Sequence, residues 1–126
     1  MNKRKLLIVE DQDGIRDLIS ATLRMKGFVI EKASNGKVAM DMLNRSPDEF
    51  DLIVSDFDMP RMNGQEFLSK VRSTEALKDK PFIMLTSHSE FSKIKEAKAK
   101  GISEWIVKPF KVDSFVSKIE YALRKA

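Results

Sequence analysis

The chain has 126 residues, of which 42% are hydrophobic and 33% charged; its formal net charge is +4 and it contains no cysteine. This composition is typical of a globular protein with one hydrophobic core, and it excludes a disordered chain, a disulfide scaffold and a thiolate metal site. No apolar run approaches the roughly 18 residues that a membrane-spanning helix needs, and the apolar stretch after the basic segment 1–5 is too short for a signal peptide. We therefore expect one domain over residues 1–126, a cytoplasmic location and no membrane partner.

Five short apolar segments, rich in β-branched and aromatic residues, alternate along the chain with five segments of helical period. The apolar segments predict strands at Lys5–Val9, Val29–Ala33, Leu52–Ser55, Phe82–Leu85 and Trp105–Val107. Most of them do not alternate strictly with polar residues. This indicates strands that are buried on both faces, as in a parallel sheet covered by helices.

The segments that follow the strands space their apolar residues at the helical period. The residues expected to face the core are Ile15, Leu18, Ile19, Thr22 and Leu23, then Val38, Ala39, Met42 and Leu43, then Phe67, Leu68 and Val71, then Ile94 and Ala97, and finally Val112, Phe115, Val116, Ile119 and Leu123. Gly27 and Gly101 predict the ends of the first and fourth helices, and Asp13 predicts the N-cap of the first. Strand and helix alternate five times, which predicts an α/β fold with right-handed crossovers and a doubly wound parallel sheet.

Polar side chains follow the predicted strands at their carboxyl ends, where open parallel sheets bind ligands. Glu10 and Asp11 follow the first strand and Asp56 the third, while Thr86 and Lys108 follow the fourth and fifth. Clustered carboxylates repel one another unless a cation or protons intervene, and oxygen ligands suit Mg²⁺. A carboxylate can also act as a nucleophile, and phosphoryl transfer needs little beyond positioning and charge neutralisation. The set therefore predicts a Mg²⁺-dependent phosphoryl-transfer site.

The same residues lie in segments that resemble the response-regulator receiver family, whose simplest member is the chemotaxis response regulator. The segments are Ile8-Val9-Glu10-Asp11, Ser55-Asp56-Phe57-Asp58-Met59-Pro60-Arg61-Met62-Asn63-Gly64, Met84-Leu85-Thr86-Ser87 and Trp105-Ile106-Val107-Lys108-Pro109-Phe110. Their order and spacing agree over essentially the whole chain. The resemblance implies a flavodoxin-like receiver domain over residues 1–126, with five helices, strand order 2-1-3-4-5, and helices one and five on one face.

The resemblance also implies a role for each acidic residue of the set. Asp56 would be the phosphoacceptor. Asp11 and Asp56 would bind Mg²⁺ directly, with the backbone carbonyl of Asp58 as a third protein ligand. Glu10 would act mainly through metal-bound water.

The other matching positions imply a switch. Thr86 would follow the phosphoryl group and Lys108 would pair with it, and the Lys108–Pro109 peptide bond would be cis. Trp105 stands at the position of the family's switch aromatic, where a rotamer change would be coupled to Thr86; the alternative is a half-exposed packing residue. Trp is bulkier than the usual Tyr, Phe or His, so its inward rotation stays open.

Asp58 and His88 occupy the two positions that tune autodephosphorylation in this family. His88 by itself is typical of a solvent-facing loop residue, and as the single histidine it cannot build a histidine-based metal site. The hypothesis is that the two side chains approach each other across the mouth of the site and alter the access of water.

The function implied is a two-component response regulator. A sensor histidine kinase or a histidine-phosphotransfer protein would phosphorylate Asp56, and the domain would lose the group by slow autodephosphorylation, without being a turnover enzyme. The family's output surface is the face formed by helix four, strand five and helix five. A chemotaxis role, a phosphorelay role and dimerisation on activation stay open, with a monomer expected.

The charge of the chain supports a protein partner at that face. Residues 1–63 hold ten basic and eleven acidic side chains, whereas residues 64–126 hold thirteen and eight. The basic residues that account for this excess are Lys93, Lys95, Lys98, Lys100, Lys111 and Lys118. They predict a partner of acidic character, the alternative being a solvated basic face. Few aromatic residues lie among them, so no direct nucleic-acid partner is expected.

Three other functions agree less well with the sequence. Asp56-Phe57-Asp58 matches the D-x-D pattern of haloacid-dehalogenase-type phosphatases, but those enzymes carry it after their first strand and need a longer chain. A nucleotide- or flavin-binding module would need a phosphate loop after the first strand, where this chain has the acidic loop 11–14. A phosphorylation-independent interaction module usually lacks one of the acids, the Thr or the Lys, and all of them are present here.

Overall fold

The computed structural model describes residues 3–126; Met1 and Asn2, which begin the basic N-terminal segment, lie outside the described residues. The strands are β1 (Lys5–Val9), β2 (Val29–Ala33), β3 (Leu52–Ser55), β4 (Phe82–Thr86) and β5 (Glu104–Val107). The helices are α1 (Asp13–Met25), α2 (Gly36–Arg45), α3 (Gly64–Ser73), α4 (Phe91–Ala99) and α5 (Val112–Lys125). Each predicted strand and helix is therefore present, with strand boundaries that differ by at most one residue.

The five strands form one parallel sheet in the order β2-β1-β3-β4-β5, which confirms the doubly wound α/β fold and the implied strand order. β1, β3 and β4 lie in the interior of the sheet and are almost wholly buried. β2 is an edge strand, and only Ile30 and Ala33 of its five residues are buried. The chain reverses its direction of winding after β2, so β1 and β3 lie side by side at the switch point.

Two hydrophobic layers hold the helices against the sheet. On one face, α1 and α5 pack on the sheet through Ile19, Leu23, Phe115, Ile119, Ala122 and Leu123. On the other face, α2, α3 and α4 pack through Ala39, Leu43, Phe67, Leu68, Val71 and Ala97. The implied placement of the first and fifth helices on one face is thus confirmed. None of the helices over residues 3–126 is long and apolar enough to cross a membrane.

The helical stripes predicted from periodicity were wider than the faces that the sheet covers. Leu18 is 68% exposed and borders a groove between α1 and the Pro109–Phe110 segment. The residues of this stripe that face the sheet are Ile19 and Leu23. Val38 and Val112 are likewise exposed. An open sheet covers only a narrow line of each helix, which apolar spacing alone does not locate.

The ends of two helices were predicted from glycine and one cap from aspartate. Gly27 and Gly101 follow α1 and α4 with φ of 97° and 89°, the left-handed conformation expected at a helix C-terminus. The prediction for Asp13 was wrong. Gln12 is the N-cap, without a side-chain cap, and Asp13 is the first helical residue, where its carboxylate accepts a hydrogen bond from Arg16 instead.

Candidate functional site

The carboxyl ends of β1 and β3 bring three carboxylates together. Backbone hydrogen bonds continue one residue past these strands: Asp56 N–H donates to the Val9 carbonyl (3.0 Å), and Glu10 N–H donates to the Ala33 carbonyl (3.1 Å). These bonds hold the two acids at the same edge of the sheet. Carboxylate oxygens of Glu10, Asp11 and Asp56 all lie within 4.8 Å of one another. The predicted convergence of the acids is observed.

One ammonium faces this cluster. The Lys108 Nζ lies 3.2 Å from Glu10 Oε1 and 3.9 Å from Asp56 Oδ1. The Glu10 side chain is 3% exposed and that of Asp56 13%. Burial raises the pKa of both carboxyls, and the Asp56 charge raises the pKa of Glu10 further, while Lys108 lowers both. Lys108 thus pairs with two of the three carboxylates, and the cluster keeps an excess of negative charge. Its potential ligand atoms are all oxygens, which fits Mg²⁺.

Backbone geometry orients Asp56. Its Oδ1 accepts a hydrogen bond from Phe57 N–H (2.7 Å), and the Phe57 carbonyl accepts one from Gly64 N–H (2.7 Å). A Cβ at position 64 would lie 2.6 Å from the Met84 sulfur and 2.7 Å from the Asp56 carbonyl oxygen. Gly64 therefore lets α3 begin directly against the loop that carries Asp56.

Two further strands complete the site. Thr86 is fully buried at the end of β4, and its hydroxyl accepts a hydrogen bond from His88 N–H (3.2 Å). The Thr86 carbonyl accepts one from Lys108 N–H (2.8 Å), which joins the ends of β4 and β5. The Lys108–Pro109 peptide bond is cis, as expected. Side chains from four neighbouring strands thus meet at one edge of the sheet.

A polar cluster surrounds His88 at the mouth of the site. Its Nε2 lies 2.7 Å from Asp58 Oδ2, and its Nδ1 lies 3.3 Å from the Glu90 carboxylate and 3.1 Å from Lys93 Nζ. The ring also packs edge-on against Phe57, with centroids 4.9 Å apart. Hydrogen bonds to Glu90 and Asp58 raise the pKa of His88.

Two sequence interpretations are decided by this cluster. The expected approach of Asp58 and His88 is confirmed as a contact. The interpretation of His88 as a solvent-facing loop residue holds in part, because its side chain is 22% exposed and also contacts Asp58 and Phe57. The sequence had not indicated that Glu90 and Lys93 contact His88, since these contacts depend on how the loop between β4 and α4 folds.

Trp105 is tied to the same loop. Its indole N–H donates to the His88 carbonyl (2.9 Å), and its ring lies 6.0 Å from that of Phe57. The side chain is half-buried and packs against the core on the α3 and α4 side of the sheet. The Thr86 hydroxyl and the Trp105 indole are therefore both hydrogen-bonded to the backbone of one loop residue, His88.

Comparison with known proteins gives a family and full-length relatives. A family model described as the response regulator receiver domain matches residues 6–120. The Vibrio cholerae chemotaxis protein CheY-3 is 35% identical over 122 residues, which cover 95% of this chain and 92% of the relative. The Pseudomonas aeruginosa chemotaxis protein CheY is 38% identical over 117 residues, which cover 92% and 93%.

Solved structures agree with these relatives. Vibrio cholerae chemotaxis protein CheY4 has a TM-score of 0.89 at 35% identity, with 96% of this chain and 99% of that chain covered. Response regulator protein TrrA from Thermotoga maritima, solved in complex with Mg²⁺–BeF, has a TM-score of 0.83 at 28% identity, with 94% and 98% covered.

Proposed function

The chain belongs to the response regulator receiver domain family, and we propose on that premise that Asp56 accepts a phosphoryl group in a Mg²⁺-dependent reaction. CheY-like receivers are signalling proteins of two-component systems and not turnover enzymes. The observation that supports the proposal most is the meeting of Glu10, Asp11 and Asp56 beneath the ammonium of Lys108. We also propose that residues 1–126 form one receiver domain and that the protein works in the cytoplasm.

In this proposal Asp11, Asp56 and the backbone carbonyl of Asp58 would hold Mg²⁺, and Glu10 would act through water. Mg²⁺, when bound, neutralises charge on the transferring phosphoryl group. An Asp56 carboxylate oxygen forms a bond to phosphorus as the phosphorus–nitrogen bond of a donor phosphohistidine breaks, and the donor imidazole leaves with that electron pair. Lys108 moves from the carboxylates to the phosphoryl oxygens. In autodephosphorylation, a water oxygen forms a bond to phosphorus as the bond between phosphorus and the Asp56 oxygen breaks. The electron pair of that bond restores the Asp56 carboxylate, and inorganic phosphate leaves with the protons of the water.

The structure suggests how the site signals. The Thr86 hydroxyl accepts a hydrogen bond from His88 N–H. When the Thr86 side chain turns to donate to the phosphoryl group, this hydrogen bond to His88 is lost. The loop is then free to shift, and with it the His88 carbonyl that holds the Trp105 indole. Thr86 and Trp105 thereby act as the switch, and Asp58 with His88 sets the access of water.

The proposed output surface is the face of α4, β5 and α5. Lys93 and Lys100 of the predicted basic set are engaged with His88 and Glu96. The remaining members are Lys95, Lys98, Lys111 and Lys118. Phe91, at the start of α4, adds a 77% exposed aromatic ring. This combination suits a protein partner that is acidic and presents an apolar side chain, and its binding should weaken as salt rises.

The named relatives are chemotaxis proteins, which favours a chemotaxis role over a general phosphorelay role. The donor in either role is a sensor histidine kinase or a histidine-phosphotransfer protein. We propose that the chain acts by protein contact and without direct binding to nucleic acid.

The test is incubation with acetyl phosphate and Mg²⁺ followed by intact-mass measurement. We expect one phosphoryl adduct that is absent from Asp56→Asn and from a sample with chelator. The alternative is a phosphorylation-independent interaction module of the same fold. An unmodified protein that binds Mg²⁺ but accepts phosphate from neither acetyl phosphate nor a phosphorylated histidine donor would support that alternative and contradict the proposal.

A further inference from the structure

The guanidinium of Arg16 bridges the end of β1 and the first turn of α1. Its Nη1 donates to the Glu10 carbonyl (3.0 Å), and its Nη2 donates to Asp13 Oδ1 (2.6 Å). The side chain is 16% exposed, so most of it is shielded by the protein. Glu10 and Asp13 flank the segment 11–12, and Asp11 of this segment is one of the three carboxylates of the site.

The first of these bonds fixes the direction of a neighbouring acid. The Glu10 carbonyl belongs to the planar peptide unit that links Glu10 to Asp11. A donor that holds this oxygen therefore restricts rotation of the peptide plane, and with it the direction in which the Asp11 side chain leaves the backbone. Glu10 Oε2 also accepts from Gln12 N–H (3.2 Å), so the segment is held from both sides.

Apart from the ion pair with Asp13, electrostatics gives no reason for a cation at this place once a metal is bound. Positive charge is unfavourable near the N-terminus of a helix, where the backbone dipole favours anions. It is also unfavourable beside carboxylates that are to bind a metal cation, since the two positive charges repel. At this position the planar guanidinium makes two hydrogen bonds at once, one to a backbone carbonyl and one to a carboxylate. The ammonium group of lysine lacks this two-pronged donor geometry.

We propose that Arg16 is a positioning residue for Mg²⁺: it holds the peptide plane between Glu10 and Asp11 so that the three carboxylates converge before the metal arrives. This inference rests on the proposed function, because it concerns the same metal site. Residues that orient metal ligands typically contribute about 10- to 100-fold to metal affinity.

The positioning role and a purely electrostatic role predict opposite results. Arg16→Met removes a positive charge next to the acidic cluster, so electrostatics alone would strengthen Mg²⁺ binding. Arg16→Lys keeps the charge, so electrostatics alone would leave the affinity unchanged. If Arg16 positions the loop, both variants lose the bridge and both bind Mg²⁺ more weakly, by about 10-fold or more.

The experiment is a titration of the full chain with magnesium chloride, followed through backbone amide chemical shifts of residues near Asp11 and Asp56. Thermal unfolding of each variant without metal is recorded alongside. The matched control is Arg24 of the same helix, whose Nη2 donates to the Ile30 carbonyl (3.2 Å). Arg24→Met and Arg24→Lys should lower stability slightly and leave the Mg²⁺ affinity at the wild-type value.

Weaker Mg²⁺ binding in both Arg16 variants, with folded spectra and unchanged Arg24 controls, supports the inference. Wild-type affinity in the Arg16 variants, or tighter binding by Arg16→Met, overturns it and leaves the proposed phosphoacceptor function intact. A wild-type chain without Mg²⁺-dependent shifts overturns both.

Discussion

At the scale of single residues, the site holds the carboxylates of Glu10, Asp11 and Asp56 close together, and those of Glu10 and Asp56 have little access to water. Burial raises the pKa of Glu10 and of Asp56, and their mutual repulsion adds to this for Glu10. Such an arrangement costs stability when the metal is absent, because the ionised carboxylates are disfavoured in the folded state. The proposed function of Asp56 and the stability of the metal-free protein therefore oppose each other.

Removing that charge should stabilise the metal-free protein. We expect Asp56→Asn to raise Tm by a few degrees near pH 7 in the presence of chelator. The folded-state pKa of Asp56 lies above the unfolded value. The wild type therefore loses stability relative to the variant as the pH rises through the interval between these two pKa values. The difference should disappear in acid, below about pH 4, where the unfolded carboxyl is also protonated. Thermal unfolding followed by circular dichroism checks this, and a lower Tm for Asp56→Asn at pH 7 would contradict it.

The contact between Asp58 and His88 should control the lifetime of the phosphoryl group. The two side chains meet at 2.7 Å across the mouth of the site. Asp58→Asn weakens this contact and His88→Ala removes it, so water gains access and autodephosphorylation should become several-fold faster. Decay of the phosphoryl adduct after removal of acetyl phosphate measures the rate.

Ser89→Ala serves as the control for the same loop, since Ser89 is exposed and next to His88. A decay rate equal to that of the wild type in both Asp58→Asn and His88→Ala would remove the assigned role from these residues.

At the scale of elements, the helices differ in how they are held. α4 buries only Ala97, and α3 attaches to it by polar bonds near both ends. The Gln65 side chain donates to the Lys93 carbonyl (2.8 Å) in the first turn of α4, and Arg72 donates to the Gly101 carbonyl (2.8 and 3.1 Å) just after its end. A helix with little buried apolar surface separates from its neighbours at low cost, which suits an element of an output face.

The start of α3 has the opposite character, because it is packed against the site without free space. A side chain at position 64 would meet the Met84 sulfur and the Asp56 backbone at under 3 Å. Gly64→Ala should therefore lower the free energy of unfolding by about 1–3 kcal/mol and slow phosphoryl incorporation. Urea unfolding and the rate of adduct formation measure the two effects.

Gly14→Ala is the matched control, since a Cβ there meets nothing within 4 Å and the residue lies in α1. It should stabilise the protein by up to about 1 kcal/mol, because alanine loses less backbone entropy than glycine in a helix. Equal stability of wild type and Gly64→Ala would show that the α3 start is looser than described.

At the scale of the whole molecule, the site and the proposed output face are joined by a short chain of contacts. The Thr86 hydroxyl bonds the His88 backbone, the His88 carbonyl bonds Trp105, and Trp105 lies on β5 between α4 and α5. The proposed phosphorylation at one edge of the sheet would thus have a physical route to the basic surface.

Trp105 is the single tryptophan of the chain, so its fluorescence reports this route. We expect acetyl phosphate with Mg²⁺ to change the emission of the wild type. Thr86→Ala should still form the phosphoryl adduct by intact mass but show a much smaller fluorescence change, since the hydroxyl that links the site to the loop is absent. A full fluorescence change in Thr86→Ala would place the coupling elsewhere.

Sequence alone was sufficient for the elements and for the composition of the site. Apolar periodicity is a local property, so the five strands, the five helices and the helix ends at Gly27 and Gly101 follow from neighbouring residues. The convergence of Glu10, Asp11 and Asp56 also follows, because parallel strands end at one edge of their sheet. The strand order came from the family resemblance, since periodicity does not specify which strands are neighbours.

Only the tertiary structure decided the contacts between loops and the exposure of helix residues. The exposure of Leu18, the N-cap at Gln12 and the cluster around His88 depend on how segments distant in sequence pack. The bond from Arg16 to the Glu10 carbonyl joins a helix turn to a strand end, and nothing in the spacing of the residues indicates it. Backbone hydrogen bonds in loops are set by three-dimensional packing, whereas the period of apolar residues is written along the chain.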